Sequence, residues 1–120
     1  MKPLAIVIAA LVLLAVGAGP AAAADCGNYG FPRGHPGDEP IFTQKEIVGA
    51  GVFDIRTQRT RCRPTARRMV RRFWDGKWGR CNPVCQRGGY RCRTRQLGDE
   101  FFRMTCNASR NRRVRFEFGA

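Results

Sequence analysis

The chain has 120 residues, six cysteines and a formal net charge of +13, with 19 arginines against 3 lysines. That length allows one domain with a modest core. The charge sets up an anion-seeking field whatever the fold, and a single histidine with no Cys-x-x-Cys pair argues against zinc, so neither a metal nor a cofactor is expected.

Residues 1–24 carry Lys2 as a short positive start, an apolar run from Leu4 to Val16 too short to span a bilayer, and the small-residue sequence Ala22-Ala23-Ala24. This pattern predicts a secretory signal peptide. Asp25 and Ala23 stand where a lipid-anchoring site before Cys26 would need a small and a bulky apolar residue, so a lipid anchor is not expected. No transmembrane segment is expected after cleavage. All six cysteines fall in the exported part, which points to disulfides, each contributing ~2–4 kcal/mol.

Within residues 25–50 the stretch from Cys26 to Pro40 is dense in Gly and Pro and shows no period, Ile41–Ala50 reads equally as several elements, and the whole is expected to be an irregular N-terminal arm tied down by Cys26. Residues 51–120 are expected to form the single domain. Val52–Thr57 reads as a strand with Ile55 and Thr57 on one face and Asp54 and Arg56 on the other. From Cys62 to Trp74 the apolar residues Cys62, Ala66, Met69, Val70, Phe73 and Trp74 recur at helical steps, while Arg67, Arg68, Arg71 and Arg72 fall on the opposite side. Pro64 or Thr65 is the expected start and Gly76 the stop. The pairs Arg67/Arg71 and Arg68/Arg72 each cost ~0.2–0.5 kcal/mol as like charges four apart. An anionic partner would relieve that cost, and a solvated face would simply tolerate it.

Lys77–Gly89 reads as a loop carrying Trp78, Cys81 and Cys85. Beyond it the period becomes two: Tyr90, Cys92 and Thr94 alternate with Arg91, Arg93 and Arg95; Phe102, Met104 and Cys106 with Phe101, Arg103 and Thr105; Val114, Phe116 and Phe118 with Arg113, Arg115 and Glu117. These are three antiparallel strands. A three-residue hairpin loop at Leu97-Gly98-Asp99 would set Thr94 opposite Phe102 and Cys92 opposite Met104. Asn107–Asn111 makes the next turn and contains an Asn-Ala-Ser sequon, meaningful only in a eukaryotic host. The expected fold is α+β: one amphipathic helix packed on a small antiparallel sheet, a disulfide-stapled two-layer domain. The other sheet face is then largely arginine.

The segments Ile55–Val70, Gly89–Cys92, Leu97-Gly98, Met104-Thr105-Cys106 and Arg113–Ala120 resemble a family of small exported, cysteine-containing proteins of high-GC Gram-positive bacteria. The resemblance spans roughly residues 55–120, is carried by structural motifs, and implies a compartment without a chemistry. The chain departs from that pattern at Arg59 and in the Cys81–Cys85 unit, which looks like an insertion. Read that way, Cys81 and Cys85 pair locally and leave Cys26, Cys62, Cys92 and Cys106. In the expected register Cys92 and Cys106 are diagonal, ~7–8 Å apart at Cα and poorly placed to bridge. Cys62 is therefore expected to bridge helix to sheet, to Cys106 ahead of Cys92, although fifteen connectivities exist in principle.

From Arg56 to Arg115 there are 18 Arg and one Lys against three acids, a net +16. The expected role is that of an exported cationic domain binding a polyanion, either a cell-envelope polymer or extracellular nucleic acid. The arginine-rich sheet face of Arg91, Arg93, Arg95, Arg103, Arg113 and Arg115 would hold it, with Phe101 available to stack a base. Two alternatives stand beside it. One is a membrane-active, antimicrobial cationic protein using Phe73, Trp74 and Trp78 at an interface; the other is a structural protein-interaction domain without polyanion specificity. No enzyme is expected: His35, Glu100 and Glu117 are the only candidate acid–base groups, and nothing marks them as one. A monomer is assumed.

Overall fold

The computed structural model describes residues 23–76 and 84–119. They form β1 (Ala23–Gly30), β2 (Ile41–Thr43), β3 (Gly51–Gln58), an irregular turn over Cys62–Ala66, α1 (Arg67–Trp74), β4 (Val84–Arg87), β5 (Tyr90–Gly98), β6 (Phe101–Ala108) and β7 (Arg112–Gly119). All strand pairs are antiparallel, and the strands make one sheet in the order β2-β1-β3-β7-β6-β5-β4. One helix on one antiparallel sheet is the α+β arrangement that the two periods predict.

Residues at alternate positions of β5, β6 and β7 turn inward, and in β3 an irregularity between Phe53 and Arg56 turns both Val52 and Ile55 inward although they are three apart. Val52, Ile55, Cys92, Met104, Cys106, Val114 and Phe116 are buried, and they are covered by Ala66 of the turn and by Met69 and Val70 of α1. The Phe73 ring seals this layer, 4.6 Å from Phe118 and 5.2 Å from Phe116. The helix ends at Asp75, and Gly76 takes a φ of 74° that favours glycine.

Helical backbone angles begin after Arg63, at the expected Pro64 or Thr65, but without the expected cap and first as an irregular turn. Arg63 is extended (φ −117°, ψ 127°), no side chain caps the turn, and regular helix begins at Arg67. The residue before a proline avoids the helical region, so Pro64 holds Arg63 off the helix.

The Gly/Pro-rich segment expected as an irregular arm contains β1, which lies inside the sheet between β2 and β3. Two bulges, between Asp25 and Gly27 and between Gly27 and Tyr29, break its alternation, so that Cys26 and Tyr29 are both buried although three apart. Gly27 is required there: its φ is 83°, and a side chain would meet the Thr43 carbonyl oxygen at 2.5 Å. The loop expected through Gly89 likewise contains the edge strand β4. Of the expected signal segment only Ala23 and Ala24 are among the described residues, and they pair with Gln58 and Thr57. Trp78 and Cys81, with the proposed Cys81–Cys85 bridge, lie outside them.

The β5–β6 register also differs. The turn is Asp99-Glu100 with a bulge at Leu97, which sets Thr94 opposite Met104 and Cys92 opposite Cys106. Directly opposed cysteines can bridge, and they do, with Cα atoms 3.9 Å apart. Cys62 does link the helix end of the domain to the sheet, but through Cys26 of β1 rather than Cys106. Among the described residues no helix is long and apolar enough to cross a membrane.

Candidate functional site

The outward side chains of β5, β6, β7 and β3 stand in rows across the sheet. One row runs Arg91, Asn107, Arg113, Gln58; the next Arg93, Thr105, Arg115, Arg56; the third Arg95, Arg103, Glu117, Phe53. Phe101 closes the far end, its ring 5.9 Å from Phe53. All seven residues expected on the outer face, Arg91, Arg93, Arg95, Arg103, Arg113, Arg115 and Phe101, are on it.

They are not equivalent. Arg103 is held by Glu117, and Arg113 Nε donates to Asn107 Oδ1 at 2.8 Å. Arg91, Arg93 and Arg95 are exposed along β5 and, among the described residues, pair with no carboxylate. Together with Arg103, Thr105 and Asn107 they line a shallow depression of about 480 Å³. Arg113, Arg115 and Phe101 lie outside its lining.

Charge is segregated along this face. At the β1–β3 end, Asp25, Glu46 and Asp54 line a second depression with Asn28, Gln44 and Phe53. There the Arg56 Nε donates to Asp54 Oδ1 at 2.7 Å, and that hydrogen bond raises the guanidinium pKa above its usual value. An anion approaching the outer face is therefore attracted toward β5 and β6 and repelled from β1.

The cationic side of α1 forms a second, separate cluster: Arg63, Arg67, Arg68, Arg71 and Arg72 line a depression of about 530 Å³ with Pro64. The guanidinium carbons of Arg67 and Arg71 sit 4.6 and 5.2 Å from the centre of the Phe42 ring, which itself packs on Tyr29. Burial, then the like charges of Arg63 and Arg71, lowers the Arg67 pKa, and Arg67 Nε is buried without a hydrogen-bond partner. The like-charge pairs four apart signal this cluster in the sequence. The role of Phe42 is invisible there, because it reaches α1 from the opposite edge strand.

The other candidates are dispersed. His35, in the β1–β2 connection, is exposed with Nε2 3.1 Å from the Glu39 carbonyl oxygen; Glu100 is in the β5–β6 turn; Glu117 is tied to Arg103. The structure does not bring the three together into an acid–base pair. Phe73 and Trp74 are half-buried, Phe73 against Phe116 and Phe118 and Trp74 against Tyr29, as the packing role of the helix stripe requires. Among the described residues no group of three His, Cys, Asp or Glu side chains could hold a metal ion. No family model matches the chain, and no curated protein or solved structure matches it.

Proposed function

We propose that the protein is an exported binding module for a linear polyanion, acting by association and without turnover. Export rests on the signal-like segment and on disulfides, which persist in oxidising compartments. The observation that carries the binding reading is the run Arg91, Arg93, Arg95. Alternate residues of a strand are about 6.8 Å apart along the backbone, so β5 presents three arginines without a carboxylate partner among the described residues at a regular interval on one face. A flexible polymer bearing a phosphate or carboxylate on each repeat can meet them in turn, and arginine forks suit both groups.

The test is binding of heparin and of oligothymidylate by the oxidised protein across a salt series, beside an Arg91→Gln/Arg93→Gln/Arg95→Gln variant. Affinity for the DNA is expected to fall steeply with salt, and the variant to reduce the logarithmic salt slope by about two, from three lost contacts on a single strand. A Phe101→Ala change that weakens oligothymidylate but not heparin would assign the natural ligand to nucleic acid; an equal effect on both would point to an envelope polymer. Unchanged affinity and slope in the triple variant would refute the β5 site.

A further inference from the structure

Building on the polyanion reading, we propose that the arginine side of α1 is a second anion-binding face, so that one molecule joins two segments of polyanion. Arg63, Arg67, Arg68, Arg71 and Arg72 converge on one depression, and none of them is ion-paired among the described residues. Two of the five guanidiniums, Arg67 and Arg71, are held side by side over one Phe42 ring. Stacking uses the guanidinium face and leaves the N–H edges for an anion's oxygens. Arg67 Nε adds a donor shut off from water with no acceptor in reach. A phosphate or carboxylate in the depression meets the outward N–H edges of several guanidiniums at once and offsets the like-charge crowding of Arg63, Arg67 and Arg71.

The position of this face decides what it does. α1 buries Met69 and Val70 against the inner side of the sheet, while the β5 arginines stand on the outer side. The two cationic faces therefore point away from each other across a helix and a sheet, roughly 15–20 Å. That is about twice the ~8 Å screening length at physiological salt, so each acts independently. A short stretch of polymer on one face does not reach the other, and a second stretch fills it.

Sandwich capture tests this. The oxidised protein is loaded on immobilised oligothymidylate, washed, and offered a fluorescent oligothymidylate; native mass spectrometry with a short strand counts strands per monomer. The Arg63→Gln/Arg68→Gln/Arg72→Gln variant alters exposed residues and spares the Phe42 stack. Wild type is expected to hold two short strands per monomer, and each triple variant, sheet-face or helix-face, to hold one and to lose second-strand capture about tenfold or more. Wild type that loads but takes a single strand overturns the second face and leaves the β5 site standing. Undiminished second-strand capture by the helix variant also overturns it, since bridging would then come from self-association. Failure of wild type to load at all removes both readings.

Discussion

Across the β6–β7 pair, Arg103 donates to one carboxylate oxygen of Glu117 through Nη2 at 3.0 Å and Nε at 3.3 Å. Their side chains are 32% and 18% exposed, so the pair is partly shielded from solvent. It also places the one carboxylate of the arginine rows beside Arg103 and in the same row as Arg95. Glu117→Gln is expected to cost about 1 kcal/mol of folding stability and to tighten oligothymidylate binding about two- to fivefold at low salt. Urea unfolding and a binding isotherm measure the two effects. Weaker or unchanged binding would show that the polyanion does not sense this end of the face.

Phe73 and Arg68 lie on opposite sides of α1 and should respond in opposite ways. Phe73→Ala removes the ring that covers Phe116 and Phe118 and is expected to cost about 3–4 kcal/mol. Arg68→Gln removes one like-charge pair with Arg72 and should be neutral or stabilising by about 0.2–0.5 kcal/mol. Urea midpoints compare them. A loss on Arg68→Gln as large as on Phe73→Ala would mean that the helix packs through its cationic side.

What the sequence revealed and what it hid follow from the same geometry. The period-two runs of β5, β6 and β7 and the stripe of α1 involve residues adjacent in the chain, so their faces were legible. The bulge at Leu97 slides the β5–β6 register by two residues. A slip of two preserves faces and changes partners, so the period alone puts the arginines outward but does not set Cys92 opposite Cys106. In β1 two bulges around Gly27 destroy the alternation itself, and the strand disappeared among glycines and prolines. The stack of Arg67 and Arg71 on Phe42 depends on which edge strand lies beside α1, and no local pattern carries that.

The two described disulfides should differ in weight. Cys26–Cys62 spans 36 positions and ties β1 to the turn before α1, whereas Cys92–Cys106 spans 14 within one hairpin. Loop-closure entropy then assigns about 4 kcal/mol to the first and about 3 kcal/mol to the second. Paired Cys→Ala variants, unfolded thermally, are expected to rank in that order. Non-reducing peptide mapping checks the links directly, and a peptide joining Cys62 to Cys106 would overturn the assignment.

Alkaline unfolding should report on Tyr29. Its side chain is 7% exposed, and burial raises the hydroxyl pKa above its ordinary value of 10.0, with the nearby Arg71 guanidinium acting in the other direction. The unfolded chain releases this proton near pH 10, while the folded chain keeps it to higher pH. The folded state therefore binds more protons in that interval, and its stability falls as pH rises. The Tyr29 contribution is full below about pH 10 and is lost as pH climbs through the folded value. Tyr29→Phe keeps the ring that packs 4.3 Å from Phe42 and 6.2 Å from Trp74 and removes the proton. Urea unfolding from neutral pH to about pH 11 is expected to give a shallower alkaline decline for the variant than for wild type. Superimposable declines would place the alkaline sensitivity elsewhere, and an equal loss at neutral pH would show that the hydroxyl matters for packing rather than for titration.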